Sequence, residues 1–222
     1  MMKNWRNEIS SCRQDFGRFA THLERTLYDH QRAATEQFEK SQFFVLKKPR
    51  QSGATVLEIM YALWKALFNT HEEVLFVSPN SFIAAGIIAR IQALCMCLPK
   101  QFGAEATKLT KNQIIFPSGN TVTSVSAAKV EGLQTPTVAI MDEAAFMQDH
   151  GMDLAKKVYR LLRPAVLLGG KLIVTSTKNT TEDFFWKKFC NAKAGRNEFD
   201  AMEWLFNGMV VINYKEERCK SQ

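Results

Sequence analysis

The stretch QFFVL at Gln42–Leu46 runs directly into KKPRQSGAT at Lys47–Thr55. Five mostly apolar residues read as a short buried strand, the glycine-containing segment as a tight loop, and the residues from Ala54 as the start of a helix. A strand, a loop and a helix in that order aim backbone N–H groups at phosphate oxygens. Gly53 lets backbone approach closely, and the Thr55 hydroxyl at the helix start suits Mg²⁺. One glycine and one threonine would also fit an ordinary strand-to-helix turn. The usual phosphate loop, G-x-x-x-x-G-K-S/T, places lysine where this chain has Ala54, while Lys48 occupies the position of the first glycine.

A second stretch, VAIMDEAAF at Val138–Phe146, narrows the choice. Four apolar residues end in Asp142 and Glu143, which suits a carboxylate that holds Mg²⁺ through water followed by one that orients and deprotonates an attacking water. Alone, such a pair is an ordinary polar strand end. Downstream of a suitable loop it points to hydrolysis of a nucleoside triphosphate. A third stretch, Leu172–Val174, ends in Thr175-Ser176-Thr177, followed by Asn179; its hydroxyls suit the sensing of a terminal phosphate, though taken alone they read as a Ser/Thr-rich turn.

Composition sets the frame. The 222 residues, 46% hydrophobic and 23% charged, are enough for one domain with a sizeable core. No apolar run approaches a membrane span, and the N-terminus MMKNWRNEIS is too polar for a secretory signal. Five cysteines (12, 95, 97, 190 and 219) show no paired zinc spacing and read mostly as core packing in a reducing compartment. A net charge of +7 favours an acidic partner such as nucleic acid, or simply a solvated basic surface.

Helices are expected over residues 4–28, 28–40, 54–69, 81–98, 154–162 and 181–192, and buried strands at 42–46, 73–78, 138–141 and 171–175. Gln113–Ser126 reads as a hairpin around Ser118-Gly119-Asn120, and Val210–Asn213 as a last strand. Apolar strands alternating with helices argue for a parallel sheet covered on both faces. Trp64, Phe68 and Met60 read as core, as do Phe184, Phe185 and Trp186 against the sheet, with His71 and His150 on the surface.

With these elements in order, the chain resembles the ATPase domain of the large terminase subunit, the DNA-packaging motor of tailed bacteriophages. Tyr28-Asp29-His30-Gln31-Arg32 is similar to the family's adenine-recognition segment, which would give Gln31 the base-reading role. Lys48-Pro49-Arg50-Gln51-Ser52-Gly53-Ala54-Thr55 is similar to a deviant loop, K-x-R-Q-x-G-x-S/T, with lysine at its beginning. Asp142–Phe146 resembles the second motif, Thr175-Ser176-Thr177 the coupling motif, and Ser118–Asn120 with Val130-Glu131-Gly132 the intervening hairpin and loop. The resemblance spans roughly residues 27 to 190.

It implies an α/β fold of the RecA-like P-loop type, with a mostly parallel central sheet in three layers and a helical N-terminal segment. ATP and Mg²⁺ would bind through Gln31, Lys48–Thr55 and Asp142, with Glu143 as base and Arg50 as a finger on the transition-state phosphates. Thr175, Ser176 and Thr177 would couple hydrolysis to movement. Implied partners are double-stranded DNA, the portal of the procapsid, the small terminase subunit and further copies in a homo-oligomeric ring, in the host cell cytoplasm. Residues 1–40 would form the helical segment, 41–200 the ATPase core and 201–222 a short extension.

Three departures qualify the resemblance. Ala54 is either a natural variant whose cation is supplied by Lys48, or a lysine-to-alanine change that disables the loop. Glu131 stands where the family often has an arginine, so a finger is not expected there. Asp183, Asp200, Glu203, Glu216 and Glu217 cluster late in the chain without readable strands, so no nuclease domain is expected. The alternatives are a superfamily 2 helicase fragment, which would need a second RecA-like domain, or a nucleotide-binding module with little turnover.

Overall fold

The computed structural model describes residues 5–131, 135–205 and 211–214. Three helices come first, α1 (Trp5–Gln14), α2 (Phe16–His22) and α3 (Asp29–Lys40), then β1 (Phe43–Lys47), α4 (Ala54–Phe68), β2 (Glu73–Ser78) and α5 (Ser81–Cys97). A meander of β3 (Lys108–Leu109), β4 (Gln113–Ile115) and β5 (Thr121–Ser126) leads to β6 (Val138–Asp142). A small hairpin, β7 (Gln148–Asp149) and β8 (Met152–Asp153), precedes α6 (Leu154–Leu167), β9 (Lys171–Ser176), α7 (Phe184–Lys193), β10 (Asp200–Trp204) and β11 (Val211–Asn213).

Among the described residues one sheet runs in the order β11-β10-β1-β9-β6-β2-β5-β4-β3. Every pairing from β10 to β5 is parallel, while β11, β4 and β3 are antiparallel at the edges. The central strands are apolar on both faces because both faces are covered. Phe44, Leu46, Phe76, Ile140 and Ile173 point into a core shared with α1 to α5. Their neighbours Phe43, Val45, Val77, Met141 and Val174 point into the core beneath α6 and α7. This period-two alternation makes the three-layer α/β fold that the strand and helix pattern predicts.

The N-terminal helices belong to the first of these layers. Phe16 meets Trp64 edge-on at 5.7 Å and Phe19 meets Phe68 at 5.5 Å, while the Trp64 indole N–H donates to the Cys12 carbonyl at 2.8 Å. Asn120 fastens the β4–β5 hairpin to the end of α4, its amide donating to the Ala66 and Asn69 carbonyls at 2.8 and 2.7 Å. Gly119 takes φ +84°, as the turn requires. Helix α6 continues past the expected end at Leu162, through Pro164, because Ala165 and Val166 are buried against the sheet.

Strand β10 was not legible as a strand. It pairs in parallel with β1, Val45 beside Ala201 and Leu46 beside Met202, so the sheet continues beyond position 200. Its sequence, DAMEW, has two carboxylates in five residues. Both are held locally: Asp200 accepts from the Ser41 hydroxyl at 2.8 Å, and Glu203 pairs with Lys47 and accepts from the Tyr214 hydroxyl at 2.7 Å. Asp183 caps α7, while Glu216, Glu217 and Cys219 lie outside the described residues. Among the described residues no helix is long and apolar enough to cross a membrane.

Candidate functional site

The sheet order brings three sequence stretches to one place. Strand β9 lies between β1 and β6, with Lys47 opposite Ser176 and Asp142 opposite Thr175. The loop after β1, the carboxylates after β6 and the hydroxyls ending β9 therefore meet at the carboxyl ends of adjacent parallel strands, where α/β sheets bind ligands.

The loop is shaped by two residues in the left-handed region, Gln51 at φ +58° and Gly53 at φ +79°. Lys48 anchors its start, the backbone N–H donating to the Ser176 carbonyl at 3.0 Å. A Cβ on Gly53 would lie 2.9 Å from the Gln31 amide nitrogen, so the glycine also serves a close approach. No side chain caps the first turn of α4, which leaves its N–H groups for an incoming ligand. Ala54 is buried at this helix start.

The carboxylates are tied to the loop from below. The Thr55 hydroxyl donates to Asp142 at 3.1 and 3.2 Å to its two oxygens. Burial pushes the Asp142 carboxyl up to about 6, opposed by the Lys48 ammonium and reinforced by Glu143. Glu143 takes φ +57° and ψ +46°, a conformation non-glycine residues adopt at a cost that concentrates at functional sites. Its carboxylate is ion-paired with Lys48 and accepts from the Ser176 hydroxyl at 3.1 Å and the Thr177 N–H at 3.3 Å. Ser176 in turn accepts from the Ala145 N–H at 3.1 Å, and the Asn179 amide donates to the Ala145 carbonyl at 3.1 Å. The third stretch thus holds the second through hydrogen bonds.

Beneath these residues is Glu58, one turn into α4 and fully buried. Its carboxyl faces the buried Thr175 hydroxyl, and no other side-chain hydrogen bond to it is found among the described residues. Burial, reinforced by Asp142, pushes the Glu58 carboxyl well above the usual range, which favours its protonated form.

Two cavities flank the loop. One, of about 510 Å³, is lined by Arg50, Gln51, Asn80, Glu143, Phe146 and Thr177. Arg50 is exposed there, its guanidinium 6.0 Å from the centre of the Phe146 ring. The other, of about 360 Å³, lies behind Pro49, Gln51 and Ser52 and is walled by Tyr28, His30 and Trp204. Tyr28 stacks on His30 at 5.6 Å with 9° between the planes, and Trp204 meets His30 edge-on at 4.5 Å. Burial lowers the His30 pKa, so its ring is neutral. Gln31 is buried behind the loop, its side-chain carbonyl accepting from the Tyr28 N–H at 3.1 Å and its amide nitrogen facing Gly53.

Lys48, Thr55, Asp142, Glu143, Ser176 and Thr177 therefore converge, with Arg50 at the open side. Glu131 is apart from them, paired with Lys157 at 2.6 Å, and Gly132 lies outside the described residues. Two contributors escaped the sequence reading. Glu58 is a charged residue in an otherwise apolar helix, a signal that could have flagged it. Trp204 depends on β10, which had no readable signal.

No protein-family model and no curated protein sequence matches this chain. Solved structures do. The large terminase ATPase domain of Thermus phage P74-26 superposes with a TM-score of 0.68 at 16% identity, over 91% of this chain and 88% of that one. The HK97 bacteriophage large terminase gives 0.61 at 18% identity over 79% of this chain and 38% of that chain. A large terminase of a thermophilic bacteriophage, solved in complex with ATP-γ-S, gives 0.55 at 12% over 86% and 48%. The chain spans about half or less of the length of these last two. At such identities the likeness is one of architecture: this chain has the fold of the ATPase domains of phage large terminases.

Proposed function

We propose that this chain is an ATP-hydrolysing motor domain of the large-terminase kind, which drives double-stranded DNA into a preformed capsid. The observation that carries the reading is the convergence of Lys48 and Thr55 after β1 with Asp142 and Glu143 at the end of β6, on either side of β9. One terminase of this fold was solved with ADP and another time with ATP-γ-S, which supports a nucleotide as ligand.

The residues fit Mg²⁺ and a triphosphate. The Thr55 hydroxyl and Asp142 carboxylate are adjacent oxygen donors, and the uncapped helix start supplies N–H donors for phosphate. Mg²⁺ bound there would neutralise charge on the phosphate oxygens. Lys48 leaves Glu143 for the phosphates, an ammonium on a flexible stem reaching them from the front of the loop instead of from position 54. Glu143, released from that pair yet still held by Ser176 and Thr177, takes a proton from the attacking water. Arg50, exposed at the open cleft, faces charge that develops in the transition state. Phosphate loss is felt by Glu143 and passed through its hydrogen bonds to Ser176, Thr177 and β9.

The aromatic pocket of Tyr28, His30 and Trp204 is of a size and character to take the base, with Gln31 supporting the loop and presenting its amide as a donor. Helices α1 to α3 act as a helical segment contributing Tyr28, His30 and Gln31 to this adenine site, followed by the ATPase core. Portal, small subunit and neighbouring copies in a ring are the partners this role requires. The net charge of +7 accords with a DNA partner.

The test is Mg²⁺-dependent ATP turnover of the parent, Lys48→Ala and Ala54→Lys, with and without duplex DNA and with nucleotide binding in parallel. Parent turnover that falls by roughly 10²–10³ in Lys48→Ala supports the leading lysine as the working cation. A parent that binds nucleotide and turns over only as Ala54→Lys would replace this reading with that of a nucleotide-binding module, which the Lys48–Glu143 pair also accommodates.

A further inference from the structure

We propose that Glu8, Cys12 and His22 form a binding site for a zinc-class divalent cation that clamps α1 to α2. The spacing of the cysteines along the chain shows no such site; the fold creates it. Glu8 and Cys12 are four residues apart and share one face of α1. His22 is the last residue of α2, which turns back beyond Asp15, the residue whose carboxylate caps it. One ligand atom from each residue, a carboxylate oxygen, Sγ and a ring nitrogen, lie within 4.8 Å of one another. Zinc bonds of about 2.0–2.3 Å bring such atoms to about 3–4 Å apart, so closing on an ion asks for shifts of about an ångström.

The donor set selects the metal. Thiolate, imidazole and carboxylate together suit Zn²⁺ and its neighbours, and not Mg²⁺ or Ca²⁺, which take all-oxygen shells. The ligands are also held in place. The His22 ring lies 5.0 Å from the Phe102 ring and 6.5 Å from Trp5, and its Nε2 is 2.8 Å from a Glu8 oxygen. The Trp64 indole bonds the Cys12 carbonyl, fixing α1 at that residue. Cys12 is fully buried, whereas the side chains of His22 and Glu8 are 12% and 28% exposed. An ion would therefore enter from the solvent side and keep a water there as fourth ligand. The Glu8–His22 contact alone needs no metal; the buried Cys12 thiol beside it completes a set of three donor atoms. This site is separate from the nucleotide site and does not rest on the proposed function.

The test is a Co²⁺ titration of the chelator-treated full chain without nucleotide. The expected result is one equivalent bound, with a near-ultraviolet thiolate-to-cobalt charge-transfer band that one equivalent of Zn²⁺ displaces. The band disappears in Cys12→Ser and survives in Cys97→Ser, an exposed thiol. Glu8→Gln and His22→Gln weaken affinity by more than about tenfold. Zn²⁺ raises the thermal midpoint of the parent and leaves that of His22→Gln unchanged. No band, or a band that persists in Cys12→Ser, overturns the proposal. Should Cys12→Ser fail to fold, His22→Gln decides: unchanged Co²⁺ affinity in that variant overturns it equally.

Discussion

The Lys48 ammonium is ion-paired with the Glu143 carboxylate, so the first cation of the loop and the carboxylate after β6 neutralise each other across the mouth of the site. Lys48 is almost wholly buried in this arrangement, and Glu143 keeps two further hydrogen bonds from β9 and the residue after it. On the proposed reading, a ligand with phosphate oxygens would compete with Glu143 for Lys48, so that cation capture and carboxylate release would be one event.

Glu143→Gln should separate binding from turnover. The amide still reaches Ser176 and Thr177 but no longer holds the ammonium as a full charge or accepts a proton. ATP turnover is expected to fall by roughly 10²–10⁴, with nucleotide affinity equal to or above that of the parent. Steady-state kinetics beside equilibrium binding decide this, and near-parental turnover would remove Glu143 as the base.

Gly53→Ala should weaken both the fold and the site. Its φ of +79° costs an alanine about 1–2 kcal/mol. The clash with the Gln31 amide is at the end of a flexible side chain, so the backbone dominates the loss. Urea denaturation measures it, and a cost near zero would show that the loop relaxes out of the left-handed conformation.

Glu58 predicts a pH effect with a definite sign. Its folded-state pKa is well above the unfolded value, so the native state keeps a proton that the unfolded chain has released. Stability attributable to this residue therefore falls as pH rises above about 4.3, up to its raised native pKa. Glu58→Met removes the buried carboxyl and should stabilise the nucleotide-free protein by about 1–3 kcal/mol at pH 8. The gain should shrink toward pH 5; denaturant midpoints at both pH values test it, and a gain independent of pH would contradict the assignment.

Tyr28→Ala addresses the aromatic pocket without touching the core, since Tyr28 is 61% exposed. Loss of one stacking surface is worth about 1–3 kcal/mol per base, so ATP affinity should drop by about tenfold or more. Competition by inorganic tripolyphosphate, which has no base, should not change. An equal loss for both ligands would place the defect in the loop and not in a base pocket.

Much of the fold was readable because it is written in local patterns. QFFVL, EVLFVS, VAIM and KLIVT are short apolar runs with nowhere to go but the inside of a covered sheet, and each is a central strand. The Ser118-Gly119-Asn120 turn marked its hairpin for the same reason. Strand β10 was unreadable because its two carboxylates are compensated by Ser41, Lys47 and Tyr214, residues remote in sequence from it or bonded to it only after folding.

The site divides in the same way. Residue types and their order along the chain determined a phosphate-type loop, a carboxylate strand end and a hydroxyl strand end, because each is a local string with its own backbone geometry. Only the tertiary structure decided that β9 lies between β1 and β6, that Lys48 reaches Glu143, that Glu58 is sealed beneath Asp142, and that Trp204 closes a pocket with His30. Those relationships join residues from different strands and helices, and they arise from the long-range packing of two apolar sheet faces, which no local string encodes.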